Sequence, residues 1–214
     1  MMDELDLLKK DWNKDDNKYP KLTYNEIYKM ILKKSSSIVK WIFIISLLEF
    51  AFWTVISFLL KDKSYDRKLE ALDINHILVP ITIVSYGVLI YFFYQFYKNY
   101  KNISVTDSSK ALMENILKTR KTVKHYVIFN LGYIVIAAFT GTFYVINHDQ
   151  NAVNQVQAAS ANGGVFKIYA SIIIGIVLVL VVVIAILLLF YWLIYGLLLK
   201  RLKKNYNELK KLEV

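Results

Sequence analysis

Four long apolar runs, with basic residues gathered on alternate sides of them, constrain this chain more than any other feature. They are Trp41–Leu60, Ile77–Tyr97, Tyr126–Ile146 and Ile168–Phe190. At a helical rise of about 1.5 Å per residue, each is long enough to cross a hydrocarbon core of roughly 30 Å. The expected fold is therefore all-α, an integral membrane four-helix bundle. The runs use about 85 of the 214 residues, so no second core-sized domain remains.

Charge sets the orientation. The segments before, between and after the runs hold 9, 4, 7, 1 and 6 Lys and Arg residues. Alternate segments thus carry 22 against 5. Basic residues close to span ends stay on the cytoplasmic side during insertion, so residues 1–40, the 98–125 loop and the 200–214 tail are expected inside. The 61–76 and 147–167 loops then face outward. Aromatic residues at the expected inner ends fit a headgroup belt: Trp41, the Tyr91–Tyr97 cluster, Tyr191, Trp192 and Tyr195. No cleavable leader pattern precedes Trp41, and a bacterial inner membrane is the expected location.

A net charge of +10 invites a nucleic-acid reading, but the basic residues flank the spans. Contact with anionic lipid accounts for them better, at about 1 kcal/mol for each near such a surface. The headgroup set is Lys118, Arg120, Lys121, Lys124, Lys200, Arg201, Lys203 and Lys204. The chain has no cysteine, which removes disulfides, thiolate metal sites and thiol catalysis together.

The cytoplasmic segments are expected to be helical extensions. Leu5, Leu8 and Trp12 share one face of a short helix and form the expected protein-contact surface of residues 1–40. Thr23 and Glu26 match a capping box, opening a helix that meets the first span at a bend or weak joint at Ser35-Ser36-Ser37. Asp107 or Ser108 caps a helix with Leu112, Ile116 and Leu117 on its apolar face, and this helix runs on into the third span. Ile168–Leu199 is 32 residues, roughly 48 Å, so the last helix tilts or overruns the bilayer. Residues 147–164, rich in Asn, Gln and Ala, read as a mobile loop.

Helices associate in lipid by close backbone approach. Ala137 with Gly141, and Ser171 with Gly175, are small-xxx-small pairs that predict contact between spans three and four.

Glu49 lies in the middle of the first span, where a carboxylate is costly. Ser46, Glu49, Trp53 and Ser57 share one helical face, with Ser85, Tyr86 and Tyr133 at comparable depths as expected hydrogen-bond partners. Gln95 and Asn130 are expected to bond to each other. One reading of Glu49 is a proton- or cation-coupled permeation site. The other is a neutral carboxyl that fixes helix register or a homo-oligomer interface, and the lack of any other charge inside a span favours it.

His76 and His148, near Asp73 and Asp149, fit no zinc spacing, so no metal and no cofactor is expected. No nucleophile elbow, HExxH, phosphate loop or dinucleotide fingerprint is present, and no enzyme is expected.

The stretches DLLKKDW, YNEIYKM, KKSSSIVKWIFIISLLEFAFW and LKTRKTVKHYV resemble an uncharacterised family of small bacterial four-span membrane proteins. The resemblance implies the four-span fold but no activity. Some members carry an automatic label as β-carotene monooxygenases, whose chemistry uses iron held by four histidines in a β-propeller. Three histidines, expected on opposite sides of a membrane, contradict that label.

The expected function is thus a non-enzymatic multi-pass membrane scaffold or regulator that binds anionic lipid or a soluble cytoplasmic protein, as an anti-sigma-like tether does. The alternatives are a small transporter or channel centred on Glu49, and a structural, homo-oligomeric envelope component.

Overall fold

A computed structural model describes residues 22–60, 71–106, 108–161 and 164–212, and those residues contain no β-strand. The chain forms α1 (Tyr24–Leu59), α2 (Asn75–Ser104), α3 (Ser109–His148), α4 (Gln150–Ala161) and α5 (Val165–Tyr191). A π-helical turn, Trp192–Gly196, joins α5 to α6 (Leu197–Leu212). Four helices are long and apolar enough to cross a membrane: α1, α2, α3, and α5 with its continuation into α6. Their large aliphatic side chains, such as Ile83, Val84, Leu178, Val181 and Ile186, point outward. An exposed apolar surface this extensive belongs against lipid, where every backbone polar group is satisfied inside its own helix.

The buried positions follow one rule. On α1 they are Ile31, Ser35, Val39, Ile42, Ser46 and Glu49, and on α3 Leu112, Ile116, Thr119, Val123 and Tyr126. Phe92, Phe96, Asn99 and Ile103 continue the pattern on α2, and Leu202, Asn205 and Leu209 on α6. Steps of three and four average 3.5 residues per turn, the spacing that keeps a seam facing its neighbours in an up-down bundle. Contacts run α1–α2, α2–α3, α3–α6 and α6–α1, closing a four-sided core.

That core fills the end of the bundle where Lys and Arg gather, here the basic end. Towards the opposite end it stops: Glu49 is the last buried residue of α1, and α3 buries nothing between Tyr126 and Ile146. The opposite end is closed by a smaller contact, in which the Tyr144 hydroxyl donates to the Leu72 carbonyl at 2.9 Å. Ile74 is buried beside it, after Asp73 in the left-handed conformation (φ 53°) that short polar side chains tolerate.

Helix starts obey local chemistry. The Thr23 backbone N–H donates to Glu26 Oε2 at 2.8 Å, while Glu26 N–H donates to Thr23 Oγ1 at 3.4 Å, the expected capping box. Ser108 caps α3 by accepting from Ala111 N–H at 3.3 Å.

Three expectations need correction. The three serines are no joint, because α1 runs unbroken through them; Ser35 is fully buried and accepts from Asn205 Nδ2 at 2.9 Å. The supposed mobile loop contains α4, whose first turn is capped by Asp149 Oδ1 accepting from Asn151 N–H at 2.9 Å and Ala152 N–H at 3.1 Å. Leu117 is exposed, because the three-four seam passes from Ile116 to Thr119. Leu5, Leu8, Trp12 and Asp107 lie outside the described residues.

Candidate functional site

Glu49 occupies a core position of the α1 seam, at the level where the closed core gives way to open space. Its carboxyl group gathers three helical elements. The Tyr191 hydroxyl donates to Oε1 at 2.7 Å; Tyr126 and Tyr195 donate to Oε2 at 3.1 and 2.9 Å. All four residues are buried. Each tyrosine hydroxyl donates its one proton, so the two carboxyl oxygens together accept three bonds. Such bonds are stronger to an ionised carboxylate than to a neutral carboxyl.

Local structure explains how the phenols arrive. Tyr126 continues the α3 seam three residues after Val123, and its ring is held edge-on by Phe92 and Phe96 at 5.7 and 5.5 Å between centroids. Tyr191 immediately precedes the π-helical turn and Tyr195 lies within it, a widened turn that holds both rings on the face of Glu49. Such turns recur at functional positions inside helices. Gly196 sits within the turn, where a Cβ would lie 3.3 Å from the Trp192 ring.

Beyond the carboxylate, towards the end away from the basic residues, lies a cavity of 630 Å³. Glu49, Tyr126 and Tyr191 line it together with Trp53, Ser57, Tyr86, Phe129 and Tyr133. Trp53 and Tyr86 are also 47% and 48% exposed, so the cavity opens through the outer surface of the bundle between helices. On the other side of Glu49 the seam is filled by Ile42, Phe96 and Tyr195, each at most 1% exposed.

The expected polar stripe is thus partly assembled. Ser57, Tyr86 and Tyr133 share the cavity wall with Glu49, whereas Ser46 is buried and donates to the Phe43 carbonyl at 2.8 Å. The bonds to Glu49 come from Tyr126, Tyr191 and Tyr195 rather than from Ser85, Tyr86 or Tyr133; Ser85 instead donates to the Thr82 carbonyl at 2.9 Å. Tyr191 and Tyr195 are therefore not belt residues, and within the Tyr91–Tyr97 cluster Phe92 and Phe96 also turn inward. Trp41, Tyr91, Tyr94, Tyr97 and Trp192 do face outward.

Gln95 and Asn130 do not pair. Gln95 Nε2 donates to the Tyr91 hydroxyl at 2.7 Å, and Asn130 Nδ2 to the Tyr126 carbonyl at 3.0 Å. At Gly141 and Gly175 an added Cβ would meet nothing within 4 Å, so the small-residue pairs with Ala137 and Ser171 mark no close helix approach.

The chain belongs to DUF8845, a domain-of-unknown-function family. The DUF8845 match spans residues 25–214 and takes in Glu49 and all three tyrosines. No curated protein and no solved structure matches the chain.

Among the described residues no cluster of three or more His, Cys, Asp or Glu residues could hold a metal. His76 bonds the Asp73 carbonyl, and His148 stacks on Tyr144 at 4.0 Å. Of the basic residues expected to meet headgroups, Lys118, Lys121, Lys124, Lys200, Arg201, Lys203 and Lys204 are exposed, and Arg120 is half-buried. A groove between α1 and α6 collects Lys34, Arg201 and Lys204 around Ser37 and Asn205.

Proposed function

We propose that this DUF8845 protein is a non-enzymatic regulator of a bacterial inner membrane, with both chain ends in the cytoplasm. In this reading a small molecule captured in the cavity is reported through the bundle to the basic cytoplasmic helices. Those helices hold anionic headgroups or a soluble protein. The lopsided distribution of Lys and Arg supports the orientation.

One observation carries the reading. Glu49 is both the floor of the cavity and the hydrogen-bond anchor of Tyr191 and Tyr195, and the chain passes directly from Tyr195 into α6, which completes the basic core. A ligand competing for the carboxylate must rearrange the phenols that fix the start of α6. A binding event can bias a second site only through such differential contacts.

The carrier reading is less well supported, because large side chains fill the seam below Glu49.

Absence of native cysteine makes the test direct. Cysteines at the exposed positions Lys29 and Lys203 take spin labels, and the α1–α6 distance is measured in wild type and in Glu49→Gln, well below the unfolding temperature. A shifted or broadened distance distribution in Glu49→Gln supports the regulator. An unchanged distribution sinks it, and Glu49-dependent cation flux in reconstituted vesicles would put the carrier in its place.

A further inference from the structure

We infer that the Glu49 cavity takes an amphiphilic organic cation: an apolar or aromatic body carrying an ammonium or phosphonium charge. The inference deepens the regulator reading and rests on the same site.

Charge comes first. Among the described residues Glu49 is the only carboxylic or basic side chain in the cavity lining, and no Lys, Arg or His shares that wall. The phenols hydrogen-bond the carboxyl oxygens but carry no positive charge, so a ligand cation reaching the floor meets no competing cation there.

The walls add a second preference. Trp53, Tyr86, Phe129, Tyr133 and Tyr191 surround the space with aromatic rings. Ring faces attract cations, most strongly where water is excluded, and their apolar bodies bury the rest of such a ligand. An inorganic cation gains little from these walls and loses its water shell, whereas a neutral lipid chain gains nothing from the carboxylate.

Size and access agree with this. A volume of 630 Å³ falls within the roughly 300–1,000 Å³ of small-molecule sites. The opening beside the half-exposed Trp53 and Tyr86 admits a ligand already dissolved in the membrane.

The test uses the full chain purified in a neutral maltoside detergent, since phosphatidylcholine itself carries a quaternary ammonium. Radiolabelled tetraphenylphosphonium is the probe, and triphenylphosphine oxide, similar in bulk but uncharged, is the competitor. Expected are saturable binding, displacement by unlabelled tetraphenylphosphonium but not by the oxide, and at least tenfold weaker binding by Glu49→Gln. Trp53→Ala and Tyr86→Ala leave the tyrosine shell of Glu49 intact and should weaken binding three- to tenfold, so the inference stays testable if Glu49→Gln fails to fold. No saturable binding, equal displacement by the oxide, or wild-type affinity in the folded variants overturns it. Saturable binding with an unmoved Lys29–Lys203 label pair upholds the ligand class and removes the regulator reading instead.

Discussion

The Tyr195 hydroxyl donates to Glu49 Oε2 across 2.9 Å, joining two residues 146 positions apart in the chain. With Tyr191 and Tyr126 it makes Glu49 the centre of a buried polar cluster where the seam ends. Glu49→Leu strands three buried phenols, each costing about 1–3 kcal/mol where no new partner is found, although hydrogen bonds inside membranes average nearer 0.6 kcal/mol. The expected loss is about 2–3 kcal/mol for Glu49→Leu and about 1 kcal/mol for Glu49→Gln, which keeps one acceptor oxygen. Denaturation in mixed micelles measures both, and equal losses would show that the phenols do not depend on the carboxyl group.

Small residues at positions 141 and 175 invite the opposite experiment. If spans three and four met there, Gly141→Leu or Gly175→Leu would force them apart. Open space around both positions instead predicts changes within about 0.5 kcal/mol, since a surface substitution away from packed features costs little and leucine forms helix better than glycine. A large drop in melting temperature for either variant would restore the helix contact.

These two cases show what the sequence made legible. Hydropathy locates the four long helices, because an apolar run of that length acts as a whole segment. The capping box was readable because it depends on neighbours three apart. Glu49 stood out by its cost, but its partners did not. Tyr191 and Tyr195 look like belt aromatics until the steps from Tyr195 to Leu202 to Leu209 are seen to repeat by sevens. Ser35 and Ser46 likewise lie on a three-four ladder with Ile31, Val39 and Ile42, which marks them as core. Followed back from Glu49 through Ser46, Ile42 and Val39, that ladder reaches Ser35 and marks it as core rather than joint. The π-helical turn has no signature in composition, and the small-residue pairs misled because motif spacing says nothing of which faces meet.

Acid should loosen the start of α1. Well before the apolar stretch at Trp41, Glu26 accepts from the Thr23 backbone N–H, and that bond holds its carboxyl below the usual carboxylate range. A group whose pKa is depressed on folding contributes stability above its unfolded value, about 4.3, and loses it as pH falls through the lower folded value. Hydrogen exchange at Ile27 and Tyr28 should therefore speed up below about pH 4 in wild type. In Glu26→Gln the pH step should vanish, and a step that persists would assign it to another group.

Asn205 and Ser35 provide the sharpest test of the basic bundle. Asn205 Nδ2 donates to Ser35 Oγ at 2.9 Å, both residues lie in the seam, and together they tie α6 to α1. Removing one partner leaves a buried polar group alone, whereas replacing both with apolar residues can be nearly neutral. Ser35→Ala and Asn205→Leu should each cost about 1–2 kcal/mol, with the double variant less destabilised than their sum. A buried polar pair also selects register, so the double variant is expected to keep its stability while the α1–α6 label distances broaden. Additive losses with a narrow distance distribution would mean that the apolar ladder alone sets the register of α6.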